Sequence, residues 1–268
     1  MAQNDFASFP KEYEDFKKKF LEISGIDLNY YKHQIHRRVH MFMRRWNIET
    51  YDDLLKNIKS DKEKYRTFVD YLTINVSEFF RNPDRFEILE KEVLPLILET
   101  KTDRSIKAWS AGCSTGEEPY SLAIIFEDLR IKRYPRILAT DIDPNVLEKA
   151  REGVYDIKQL QNVTAERLNK YFIKRTQNLY EISQNIKDRV EFKKHDLLND
   201  PFDKEFDLIL CRNVVIYFEK EIKEKLYLKF RDALRIGGVL MVGNTEQIFG
   251  YREIGFKSIK PFFYQRVK

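Results

Sequence analysis

The chain has 268 residues, 43% of them apolar and 34% charged, with a formal net charge of +5. That is enough for one large domain and a small one, with a packed core and a solvated surface, and it excludes a fibrous or low-complexity protein. Two isolated cysteines, Cys113 and Cys211, give neither a disulfide framework nor a zinc spacing, so a reducing, cytoplasmic setting and no metal site are expected. No basic-then-apolar leader and no run of about 18 apolar residues occurs, so no membrane insertion is expected.

The first 80 residues read as helices. One spans Glu12 to Ile23 and stops at Gly25. A second spans Tyr30 to Trp46, with Ile35, Val39, Phe42 and Trp46 on one face. Thr50 caps a third through Ile58, and Lys62 to Leu72 makes a fourth. Asn82-Pro83 reads as an N-cap followed by proline at the first helical position, opening a helix to about Leu98.

Strands and helices then alternate. Ile106 to Ser110 is a strand, followed by a glycine loop and a helix from Glu118 to Arg130. Ile137 to Thr140 is a second strand, and Asp143-Pro144 caps the next helix. Val190–Lys193, Phe206–Cys211 and Val239–Gly243 are further strands, and a helix from Lys220 to Arg235 is expected to end at Gly237-Gly238. Such alternation implies a doubly wound, mostly parallel sheet in a three-layer α/β domain. Gly153 to Arg189 is too long for a strand–helix loop and reads as an inserted subdomain. The expected organisation is a helical domain at 1–80, a linker helix at 81–105, and an α/β domain at 106–268 with the insertion at about 153–189.

The loop Gly112-Cys113-Ser114-Thr115-Gly116-Glu117 joins the first strand to its helix, where open α/β sheets bind ligands. It lacks the Gly-Lys-Ser/Thr end of a phosphate loop and the G-x-G-x-x-G of a dinucleotide site. Glu117 and Glu118 at the helix start repel phosphate and suit a ligand with a cationic end. S-adenosylmethionine is such a ligand. Asp141, at the end of the second strand, is placed to accept ribose hydroxyls. Asp143 is the cap before Pro144. His195-Asp196-Leu197 can offer a polar and an apolar contact to an adenine, and Arg212-Asn213 follow an apolar strand at the same sheet edge. The loop also matches G-x-S-x-G, the nucleophile elbow of a hydrolase, with Ser114 as nucleophile and His195 as the sole downstream histidine. The oxyanion-hole sequence such a hydrolase needs is missing.

Four motifs in one order carry a resemblance. They are Asn75-Val76-Ser77-Glu78-Phe79-Phe80-Arg81, Ser110 through Ser121, Ala139-Thr140-Asp141-Ile142-Asp143, and Cys211-Arg212-Asn213-Val214-Val215-Ile216-Tyr217-Phe218. Over nearly its whole length the chain resembles the bacterial chemotaxis-receptor glutamate methyltransferases, the CheR family. The resemblance implies a small helical domain, a Rossmann-like S-adenosylmethionine-dependent methyltransferase domain with an inserted β-subdomain, and S-adenosyl-L-homocysteine as product. It implies cofactor contacts at Asn75, Ser77, Arg81, Glu117, Asp141, Asp196, Leu197, Arg212 and Asn213, and a methyl-transfer site at Arg81 and Tyr217. Ser77 stands where Thr is frequent in the family, and Asp196 where Asn is frequent. The implied partner is the cytoplasmic helical region of methyl-accepting chemotaxis receptors, with the enzyme a monomer.

Glutamate methylation needs no strong base, because a carboxylate of pKa about 4.3 is already the nucleophile at neutral pH. The Asn/Asp-Pro-Pro-aromatic motif of amino-group methyltransferases is absent after the fourth strand. Charge is uneven, however: from Tyr31 to Asn47 there is no acid, and Arg37, Arg38, Arg44 and Arg45 fall on one side of the second helix near Met41. This face is the expected receptor-binding surface. The alternatives are a nucleic-acid methyltransferase, which that basic helix alone supports, and a non-catalytic cofactor-binding module.

Overall fold

The computed structural model of the protein describes residues 11–73, 77–132 and 134–268. Contacts divide the chain into two compact units, Met1–Ile74 with Tyr217–Ile222, and Asn75–Ile216 with Lys223–Lys268. Among the described residues no helix is long and apolar enough to cross a membrane.

The first unit holds α1 (Lys11–Ser24), α2 (Gln34–Arg45), α3 (Tyr51–Ser60) and α4 (Lys62–Thr73). Helix α1 ends at Gly25, whose φ of +74° is cheap only for glycine. Helix α2 starts at Gln34 rather than Tyr30. Asp27 accepts from the Asn29 amide and opens a separate 3-10 turn over Leu28–Tyr30, and Tyr31 then pairs with Phe218 in an antiparallel bridge. Thr50 caps α3 by accepting from the Asp53 amide at 3.1 Å. Tyr13, Phe16, Phe20, Val39, Phe42, Leu54, Phe68 and Val69 are buried together as an aromatic-rich core. The predicted apolar face of α2 is buried at Ile35, Val39 and Phe42, while Trp46 is half-buried and stacks on Phe42.

The second unit opens with α5 (Pro83–Ile88) and α6 (Leu94–Glu99), joined by a π-helical stretch over Leu89–Val93. The sequence predicts one uninterrupted helix here. The widened turn lies just before Pro95, which cannot donate a backbone hydrogen bond and whose ring crowds the preceding turn. Then follow β1 (Ala108–Ala111), α7 (Glu117–Asp128), β2 (Ile137–Asp141) and α8 (Pro144–Glu152). The segment after α8 contains β3 (Val154–Asp156), α9 (Ala165–Tyr171), β4 (Phe172–Lys174), β5 (Leu179–Ile182) and α10 (Gln184–Lys187). Its strands make a separate antiparallel sheet in the order β3-β5-β4. The chain returns through β6 (Val190–Lys194), β7 (Phe206–Cys211), α11 (Lys220–Ala233) and β8 (Leu234–Val242), and ends in the hairpin β9 (Phe256–Lys260) and β10 (Phe263–Arg266).

The main sheet runs β6-β2-β1-β7-β8-β10-β9, parallel except for β10, which is antiparallel to both its neighbours. Winding goes outward from β1 to β6 on one side and from β7 on the other, so the topological switch point lies between β1 and β7. Strand β7 is buried along its whole length, as a central parallel strand must be.

Two further expectations need correction. Gly237-Gly238 do not cap α11, which ends at Ala233; they lie inside β8. A Cβ on Gly238 would come within 2.6 Å of the Phe206 carbonyl oxygen, so glycine is required where β7 and β8 shift register. Asn82 sits at the start of α5 but its side chain does not cap it. Its Oδ1 accepts from Arg212 instead.

Candidate functional site

The switch point places the loops after β1, β2, β6 and β7 at one edge of the sheet. The β1 loop is held in a tight reversal. Gly112 and Cys113 both donate to the Thr140 carbonyl oxygen, at 2.8 and 2.9 Å, and Ser114 adopts a φ of +49°. Gly116, at φ +95°, has the Tyr155 hydroxyl and the Tyr120 ring so close that a Cβ would meet them at 3.1 and 3.2 Å. Tyr155, on β3, donates to the Thr115 carbonyl oxygen at 2.8 Å and so ties the inserted segment to this loop.

Glu117 is the first residue of α7 and is 0% exposed. Among the described residues its partners are uncharged donors. Thr115 Oγ1 reaches both carboxylate oxygens at 2.8 Å, Gln159 Nε2 donates at 2.5 Å, and the Ser77 hydroxyl also hydrogen-bonds it. Burial pushes the Glu117 pKa up, and these donors pull against that shift. Gln159 was not singled out in the sequence. It lies in the insertion within a capping box, where its Oε1 accepts from the Asp156 amide while its Nε2 serves Glu117.

Asp141 ends β2. Its Oδ2 accepts from the Ser114 amide at 2.9 Å and its Oδ1 from the Asp143 amide at 3.0 Å, and burial raises its pKa. Asp143 is the helix cap that the Asp-Pro pair predicts, accepting from the Asn145 amide at 2.8 Å. The β6 loop adjoins Asp141, with the His195 amide donating to the Asp141 carbonyl oxygen at 3.0 Å. The carboxylate of Asp196 is engaged in its own turn by the Leu198 amide and the Asn199 side chain, both at 2.8 Å. Lys229 fixes the same turn from below through the carbonyl oxygens of Leu197, Leu198 and Asp200, and Leu197 is buried.

Arg212 is 6% exposed and joins the β7 edge to the segment before α5. It donates to the Arg81 carbonyl oxygen at 2.7 Å and to Asn82 Oδ1 at 2.8 Å, approaches Glu118 at 3.5 Å, and lies over the Phe86 ring. Burial lowers the Arg212 pKa, and the positive charge of Arg81 adds to that effect against the opposing pull of Glu118. Asn213 adopts a φ of +60°, and its buried Oδ1 has no hydrogen-bond partner among the described residues. Its amide donates to Glu246 at 2.6 Å.

Asn75 lies outside the described residues. Tyr217 is half-buried and belongs to the first unit, where its carbonyl oxygen accepts from the Lys32 amide at 2.9 Å. On α2, Arg37, Arg44 and Arg45 are exposed beside exposed Met41. Arg38 is turned inward, stacked on the Tyr71 ring and bonded to the Tyr71 carbonyl oxygen.

The hydrolase arrangement is not formed. Ser114 Oγ and His195 Nε2 are both buried and neither has a hydrogen-bond partner among the described residues, whereas a serine nucleophile must meet its base. Residues 75–261 match the family model described as "CheR methyltransferase, SAM binding domain", and residues 11–73 match "CheR methyltransferase, all-alpha domain". The chain is 40% identical over 255 residues to the chemotaxis protein methyltransferase of Listeria innocua, covering 95% of this chain and 97% of that protein. Its counterpart from Listeria monocytogenes gives the same identity and coverage. The chemotaxis protein methyltransferase of Borreliella burgdorferi is 35% identical over 207 residues, covering 74% of this chain and 72% of that protein.

Proposed function

The chain belongs to the CheR methyltransferase family, with S-adenosylmethionine as its cofactor, and from that premise we propose that it forms methyl esters on glutamate side chains of chemotaxis receptors. One observation carries the choice of a carboxylate substrate. Arg212, with Glu118 3.5 Å away, donates to the Arg81 carbonyl oxygen at 2.7 Å and so holds the Arg81 backbone at the ligand edge of the sheet. The planar fork of the Arg81 guanidinium suits a carboxylate.

The residues present fit the cofactor. Glu117 is a buried carboxylate with no cationic partner among the described residues, and it would oppose the cofactor's ammonium. Asp141, bonded by three backbone amides, retains acceptor capacity for a ribose hydroxyl. Leu197 offers an apolar face to the adenine, with Asp196 at its polar edge. Ser77 and Asn213 complete the methionine end. Bound there, S-adenosylmethionine supplies an electrophilic methyl group on a sulfonium.

The chain's own groups then have two tasks. Arg81 aligns a substrate carboxylate, and the hydroxyl of Tyr217, by its residue type, can donate a hydrogen bond to one. No proton has to be removed from the nucleophile, so alignment is the main contribution, worth roughly 7–11 kcal/mol when two reactants are held in line. Labelled cofactor incubated with chemotaxis receptors should leave a label on receptor glutamates that mild alkali releases as methanol. An alkali-stable label, as on an amine, or a label on nucleic acid would overturn the assignment.

A further inference from the structure

Glu246 belongs to none of the motifs read from the sequence, yet it organises the ligand edge of the sheet. It is 4% exposed and lies just beyond β8. Its Oε2 accepts from the amides of Asn213 at 2.6 Å and Gly243 at 2.8 Å, and its Oε1 from the amide of Ile216 at 3.2 Å. The Val214 amide also hydrogen-bonds it. One carboxylate thus gathers backbone donors from the loops after both β7 and β8. Donors converging on an anion in a dry setting are among the strongest neutral-to-charged hydrogen bonds.

The surrounding backbone is shaped for this contact. Gly243 leaves the space: a Cβ there would stand 2.5 Å from Glu246 Oε2 and 2.9 Å from the Asn213 amide nitrogen. Asn213 is held in a left-handed conformation at φ +60°, a modest strain that surroundings must impose. Its Oδ1 is buried without a partner among the described residues, which is a costly arrangement unless a ligand donor fills it.

We propose that Glu246 is a positioning residue that, through the Asn213, Val214 and Ile216 amides, sets the Asn213 carboxamide for the cofactor. This rests on the reading of Asn213 as a cofactor contact. Glu246→Gln preserves shape but turns one acceptor into a donor facing backbone N–H groups.

A double-mutant cycle tests it, with S-adenosylhomocysteine affinity measured by calorimetry on the full chain. Asn213→Ala and Glu246→Gln should each weaken binding about tenfold. Because one acts through the other, the double variant should lose about 10- to 20-fold rather than about 100-fold. Gly243→Ala, which displaces the carboxylate without altering charge, should reproduce the Glu246→Gln loss and serves if that variant does not fold. Again combined with Asn213→Ala, it should show the same non-additivity. If Asn213→Ala binds normally, the cofactor reading of Asn213 fails and the proposal with it. If Asn213→Ala weakens binding and the losses simply multiply, the cofactor reading stands and the positioning role is overturned.

Discussion

Arg81→Lys is expected to lose at least about 100-fold in methyl transfer while remaining folded, an effect on the scale that misplacing a reacting group produces. Lysine keeps the charge but not the planar, two-pronged donor set. The substitution leaves the local scaffold in place, because Arg212 grips the backbone carbonyl oxygen of Arg81 and the side chain of Asn82. Single-turnover rates at saturating cofactor check this, with S-adenosylhomocysteine affinity measured alongside. Tyr217→Phe in the same assay should slow turnover, since only the hydroxyl is removed. Wild-type rates in Arg81→Lys would remove Arg81 from the chemistry.

The second large effect concerns the receptor. Arg37 and Arg44 are exposed on α2 on either side of exposed Met41, with Arg45 beside them. Reversing Arg37 and Arg44 to Glu should slow receptor methylation by one to two orders of magnitude at low salt, on the order of what steering charges contribute to association. Cofactor affinity should not change. Wild-type rates should fall as added salt shortens the Debye length below about 8 Å. Full receptor methylation by the double variant would return these arginines to the role of a solvated face. Arg38 is excluded from the test because it is spent on Tyr71.

The elements that the sequence made legible are those whose residues act locally. Glycine at φ > 0 in the β1 loop, the Asp143-Pro144 cap, the Thr50 cap and the almost wholly apolar β7 all state their conformation in a few neighbouring residues. Glu117 and Asp141 were legible because strand–loop–helix order places them at the carboxyl ends of β1 and β2. What the sequence did not show depends on contacts between distant segments. Gln159 meets Glu117 across 42 positions, and Glu246 meets Asn213 across 33. Gly237-Gly238 resemble a helix end, but they lie in β8, which pairs with β7 well upstream, and Gly238 is glycine because the Phe206 carbonyl oxygen crowds it. The β9–β10 hairpin is rich in charged and polar residues at a sheet edge, so it carries little of the apolar signal that marks a strand. Asn82 has the sequence of a cap, and Arg212 takes its side chain from 130 positions away.

The proposed seat of the cofactor rests above all on Glu117, a buried carboxylate surrounded by uncharged donors whose pKa burial pushes above the ordinary range. Pairing with a ligand ammonium requires its ionised form, so binding releases a proton wherever free Glu117 is protonated. Affinity is then greatest above the raised pKa and falls as pH drops through it, by up to about tenfold per unit for one linked proton. Calorimetric titration of S-adenosylhomocysteine across this range, on wild type and Glu117→Gln, is the direct measurement. The wild type should bind more weakly toward acid pH, and Glu117→Gln should bind more weakly at neutral pH with a shallower slope. Equal affinities and equal slopes in the two proteins would contradict the placement of the cofactor against Glu117.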